Sequence, residues 1–171
     1  MFKITRDMIK AKGACASGYR EFCKAFPEEA YPDGVEYQKI LDRCAENGRD
    51  SYASWLVYTF GKTTDVRKIE GDYISEKSIF VCGRLEVTGK ISCIGRIEAG
   101  DSIEAGWDIK AGRGIEAGWG IKAGDSIKAD ENFGIYAGLS VRLDSNDRQV
   151  KAKQKPINLI CGEFVVDDDK E

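Results

Sequence analysis

The chain has 171 residues, 42% apolar and 32% charged, which is room for one or two small domains with the balance of an ordinary globular protein. Its formal charge of −3 leaves no basic excess to neutralise a phosphate backbone, so direct nucleic-acid binding is set aside. It contains no histidine, which removes the commonest general base, metal ligand and pH switch together.

No apolar run is long enough for a membrane span, and MFKITRDMIK lacks the apolar stretch of a signal peptide, so a cytoplasmic protein is expected. The six cysteines, Cys15, Cys23, Cys44, Cys82, Cys93 and Cys161, sit mostly in apolar phase with no CxxC pair. Small buried hydrophobes in a reducing compartment are distributed this way, and no disulfide, zinc site or other cofactor is expected.

Residues 1 to 62 read as a helical domain. Thr5 caps a short first helix carrying Met8 and Ile9, which Gly13 ends. A second helix over about 14–26 lines up Cys15, Tyr19, Phe22, Cys23 and Phe26 before Pro27 stops it. Asp33 and Glu36 form a capping-box pattern for a third helix with Val35, Ile40, Leu41 and Cys44 inward, stopped at Asn47-Gly48. Asp50 or Ser51 opens a fourth, bearing Tyr52, Trp55, Leu56 and Phe60 and closed by Gly61. Some sixty residues are marginal alone, so this domain is expected to dock on the solenoid that the remaining sequence encodes.

Residues 63–143 read as a β-solenoid. From Ile79 an apolar residue recurs at every sixth position through Leu85, Ile91, Ile97, Ile103, Ile109, Ile115, Ile121, Ile127, Phe133 and Leu139. Two places after each stands a small or apolar residue, as at Val81, Cys93, Ala99, Ala105 and Ala111, and Gly100, Gly106, Gly112, Gly118 and Gly124 mark corners. Three six-residue faces give coils of eighteen residues, and two give coils of twelve. The longer coil stacks Glu104 on Lys122, Trp107 on Asp125 and Asp101 on Trp119, whereas the shorter stacks Glu104 on Glu116 and Lys110 on Lys122. Like charges on adjacent rungs cost a few tenths to roughly 1 kcal/mol each, which favours three sides although Glu98 over Glu116 and Lys110 over Lys128 remain. Residues 144–171 hold a polar turn, a strand-like INLICGEFVV that covers the open end or lies along a side, and an acidic, solvated tail. The expected fold class is thus α+β, an α-helical N-terminal domain followed by a short three-sided β-solenoid.

Few patterns in the repeat carry chemistry. GRGIEA and GWGIKA match the G-x-G-x-x-A dinucleotide fingerprint, but no helix follows to meet a pyrophosphate, so these glycines are corners. Outward carboxylates such as Glu98, Glu104 and Asp108 alternate with lysines, as on a solvated, salt-bridged face. Trp107 and Trp119 differ: each follows a corner glycine in outward phase, where either the chain's own cap covers it or a partner does.

Six-residue apolar spacing resembles that of the left-handed β-helix acyltransferases, which depend on a histidine this chain lacks. The segment SIFVCGRLEVTGKISCIGRIEAGDSIEAGWDIKAG resembles the bactofilins, which implies a polymer-forming β-helix over about 79–141; the helical domain in front and the alanines depart from that pattern. GACASGYREFCKAFPEEAYPDGVEYQKIL followed by SYASWL resembles a short helical module at the front of small phage, prophage and host proteins. That likeness implies a phage or prophage protein, a class that includes anti-CRISPR inhibitors. The expectation is a non-enzymatic protein, monomer or homodimer, that occludes a host protein complex. Trp107, Arg113 and Trp119 are the expected central contacts, with Glu104, Lys110, Glu116 and Lys122 setting electrostatic register. The alternative is a bactofilin-like structural protein that assembles through solenoid ends.

Overall fold

The computed structural model describes residues 2–142 and 144–167; the acidic residues 168–171 of the expected tail lie outside the described residues. Helix α1 (Arg6–Ala11) is capped by Thr5, whose hydroxyl accepts from the Met8 amide at 3.2 Å. Helix α2 (Ala16–Ala25) starts later than expected because the Cys15 sulfur takes the cap position, accepting from the Gly18 amide at 3.4 Å. The expected Asp33–Glu36 capping box does not form. Strand β1 (Lys3–Ile4) pairs antiparallel with β2 (Val35–Glu36), burying Ile4 against Val35, and this fixes Glu36 as an N-cap with no side-chain cap bond. Asp33 stays exposed in the turn before it. Helix α3 (Tyr37–Glu46) and helix α4 (Asp50–Phe60) come next, and Gly61 closes α4 at a φ of 71°. The Tyr37 hydroxyl donates to the Leu56 carbonyl at 2.8 Å, and burial raises this phenol so far that it remains a neutral donor.

Three parallel strands then build each coil. The first contains β3 (Val66–Ile69), β4 (Tyr73–Ser75) and β5 (Ile79–Val81), and the second β6 (Arg84–Val87), β7 (Ile91–Cys93) and β8 (Ile97–Ala99). Strands β9 (Ile103–Ala105), β10 (Ile109–Ala111) and β11 (Ile115–Ala117) make the third, and β12 (Ile121–Ala123), β13 (Ile127–Ala129) and β14 (Ile135–Ala137) the fourth. Then β15 (Gln149–Ala152), β16 (Leu159–Cys161) and β17 (Glu163–Val166) continue upward. A first face stacks β3, β6, β9, β12, β15 and β17; a second β4, β7, β10 and β13; a third β5, β8, β11, β14 and β16. Ile103 pairs with Ile121 and Glu104 with Lys122, so the coil has the eighteen-residue, three-sided register. Columns of isoleucine and alanine fill the interior, where the branched chain spans the prism and the methyl fits its narrow corner.

The six-residue phase breaks once, against expectation. Phe133 and Leu139 are 42% and 54% exposed, while Ile135 and Ala137 are fully buried over Ile115 and Ala117. A turn held by Asp130, whose carboxylate accepts from the Asn132 amide and whose carbonyl accepts from Phe133, loops the extra residues outward. The C-terminal segment does not lie across the end or along a side. It extends the coil instead, with Val150 over Ile121 and Phe164 over Val150.

The two ends are unlike. At the start, Gln38 of α3 acts as a surrogate strand: its amide nitrogen donates to the Phe80 carbonyl at 2.7 Å and its oxygen accepts from the Cys82 amide at 3.1 Å. Arg67, in an inward column where later coils carry Leu85, lies over the Tyr73 ring and pairs with Asp42 of α3 at 2.7 Å. An inward charge at an edge discourages further stacking. Helix α3 thus seals the β5 edge, whereas β3 and β4 have no outer strand among the described residues. At the far end, β16 and β17 are edges carrying Leu159 and Phe164.

Candidate binding surface

The outward row of the third face runs Phe80, Glu98, Glu116, Tyr136. Its lower part is where the helices dock. Phe80 is buried in the helical core, and Glu98, 7% exposed, accepts from the Ser54 hydroxyl of α4 at 2.6 Å. Arg96 lies beside Glu98 at 3.8 Å, donates to Ser54 at 3.1 Å and ion-pairs with Glu116, so one guanidinium neutralises the like-charged rung pair. Burial, opposed by the Ser54 hydrogen bond, holds the Glu98 carboxyl above its ordinary range.

A folded-state pKa raised above the unfolded value penalises folding when the carboxyl is ionised, and the penalty fades as pH falls through the folded value toward the unfolded one. Glu98→Gln is therefore expected to be more stable than wild type near neutral pH, with the gap closing toward about pH 4. Urea unfolding at both pH values checks this; a gap that widens on acidification would contradict the burial assignment.

The seven expected contact residues divide into two groups. Arg113 faces Asp50 at 3.5 Å, and Asp50 also accepts from the Ser78 hydroxyl at 2.6 Å. Glu116 is held by Arg96, and half-buried Trp119 lies under Lys62, whose ammonium is 3.4 Å from the ring centroid and 3.8 Å from Asp101. These three therefore serve the join between helical domain and solenoid.

The other four lie away from the helices. Glu104 and Lys122 stack on the first face, where Arg84 reaches Glu104 at 3.6 Å and Lys122 reaches Asp167 at 3.4 Å. Lys110 is exposed on the second face between Ser92 and Lys128, and neither lysine has an ion-pair partner among the described residues. Trp107 occupies the corner between these two faces. Its amide donates to Gly89 and its carbonyl accepts from Asp125, so its backbone is fixed in the coil while the side chain leaves the residue 63% exposed. Ion pairs of Lys90 with Asp72 and Lys153 with Asp125 sit below and above it. A corner between the first and second faces is by construction the one opposite the third, so the helices and Trp107 occupy opposite sides of the prism. Exposed Ile74 and Lys128 share the second face with Lys110 and were not among the expected contacts. The eighteen-residue register already aligned Lys128 with Lys110.

Among the described residues no three acidic or cysteine side chains converge as metal ligands would, and no helix is long and apolar enough to cross a membrane. The family model described as the YdhT N-terminal domain matches residues 1–63, just over a third of the chain. The helical domain is similar to that module. Its match ends where Lys62 and Thr63 lead into the first coil, so the solenoid lies beyond it. No curated protein and no solved structure matches the chain.

Proposed function

We propose that this is a non-enzymatic binding protein whose solenoid presents the Trp107 corner to a protein partner. The observation that carries the reading is the exposed indole on a backbone locked into a parallel coil. Large aromatic surface fixed in this way costs little entropy to immobilise on binding, and such residues supply most of the energy in many interfaces. Lys110 and Lys128 on one flank and the Glu104–Lys122 row on the other give the orientation. In its finer form the partner is a host protein complex in a bacterial cytoplasm and the protein is a phage or prophage inhibitor that occludes it. The resemblance of residues 13–41 and 51–56 to a module of small phage, prophage and host proteins is what suggests that form.

Trp107→Ala is expected to weaken capture of the partner complex from bacterial lysate by about thirty-fold or more, the cost of a typical hot spot. Arg113→Ala, on the helix-facing side, leaves capture within a few-fold. Equal capture by wild type and Trp107→Ala, quantified by mass spectrometry, would remove the corner from the interface. A second reading, a structural protein assembling through solenoid ends, is favoured by the β16 and β17 edges, which have no further strand beyond them among the described residues. Long unbranched polymers of the full chain under the electron microscope would favour it; discrete particles favour the first.

A further inference from the structure

The helical domain encloses a feature that the solenoid reading does not use. A cavity of about 750 Å³ opens between α2 and the pair α3–α4, within the range of sites that hold small ligands. Its floor is apolar, formed by Phe22, Phe26, Ile40, Trp55 and Leu56. Cys44 stands in the wall, its thiol pushed up to about 11 by burial, so that surface stays uncharged. Two ties hold α2 beside the start of α4: Arg49 grips Glu21 through both oxygens at 2.9 Å, and the Tyr52 hydroxyl lies 3.1 Å from that of Ser17. An incoming helix would need an open trough, and α2, ten residues or about 15 Å long, is tied at its first two turns. A single alkyl chain is narrow enough to lie on the apolar floor with both ties kept.

The rim carries a charge bias. Lys24, Arg43 and Arg49 line the cavity against one carboxylate, Glu21, in a chain whose net charge is −3. Glu21 is consumed by Arg49, and Arg43 leans at 3.5 Å on exposed Glu46, which is outside the lining. Lys24 has no ion-pair partner among the described residues.

We propose that this cavity binds a single-chain amphiphile with an anionic head, the chemistry of a fatty acid, its tail over Phe22 and Leu56 and its carboxylate between Lys24 and Arg43. The experiment is calorimetric titration of the full chain with laurate below its micellar concentration. Saturable one-to-one binding is expected, tightening about four-fold for each methylene added from decanoate to laurate. Dodecyltrimethylammonium, with the same tail and the opposite charge, should bind at least about ten-fold more weakly. The exposed double reversal Lys24→Glu, Arg43→Glu should weaken laurate by a similar factor while the thermal transition stays near wild type. Ala14→Phe, which fills the mouth from a half-buried position, should abolish binding by occupancy. No saturable heat, equal binding of the cationic amphiphile, or indifference to both variants would overturn the proposal.

Discussion

Ile109→Asp unfolds the solenoid. Ile109 is fully buried, stacked in register between Ile91 and Ile127, and an aspartate there places a carboxylate among aliphatic side chains with no donor in the column. An uncompensated buried charge costs about 4 kcal/mol or more, and the whole stability of a small protein is about 5–15 kcal/mol. The neighbouring exchange Lys110→Asp is the control, one position along on the outward phase. It breaks a like-charge stack with Lys128 and should leave the thermal transition at or slightly above that of wild type. Circular dichroism melts of the two variants make the comparison. A cooperative transition near wild type for Ile109→Asp would refute the inward column.

Gly106→Ala is a smaller change with an effect of the same order. An added Cβ at this corner would sit 2.1 Å from the Thr88 carbonyl oxygen of the coil below. That oxygen belongs to the backbone, and the Thr88 amide donates a hydrogen bond to the Ile69 carbonyl, so the clash is relieved only by prising two coils apart. Overpacking against an immobile neighbour costs about 3 kcal/mol or more. At Gly114 the nearest atom to an added Cβ is the Gly134 oxygen at 3.3 Å, and Gly114→Ala should cost far less. Urea midpoints of the two alanine variants test the contrast; similar losses would mean that corner spacing is not what excludes a side chain at Gly106.

The solenoid was legible because its interior admits so little. A branched aliphatic and a small residue must recur at fixed spacing, and that demand writes itself into the chain from Ile79 to Ile127. Phe133 kept the apolar phase and misled, since hydrophobicity alone does not separate a ring from an isoleucine. The triplet Ile135-Tyr136-Ala137 carries the same branched-outward-small order as Ile115-Glu116-Ala117 and marks where the coil resumes. Arg67 hid the six-residue phase of the first coil in the opposite way, putting a charge where later coils have leucine. For the candidate surface, outward phase could be read from spacing, but which outward residues stay free could not. Lys62 over Trp119 and Asp50 against Arg113 depend on how two domains meet, and no periodicity encodes that. Trp107 and Trp119 share a local sequence context and differ only in what stands above them.

Each coil is both a structural repeat and a unit of length. Strand spacing sets the rise at about 4.8 Å per coil, so the separation between the helix-docking rungs and the far end is fixed by the number of coils stacked between them. Inserting one eighteen-residue unit above Trp119 would lengthen the rod by one step while leaving the Asp50, Ser54 and Lys62 contacts in place. A change of any other length must either be looped out at a corner, as the residues around Phe133 are, or rotate everything beyond it around the prism. The length of such a rod can therefore change in whole steps without altering the end on which the helices dock.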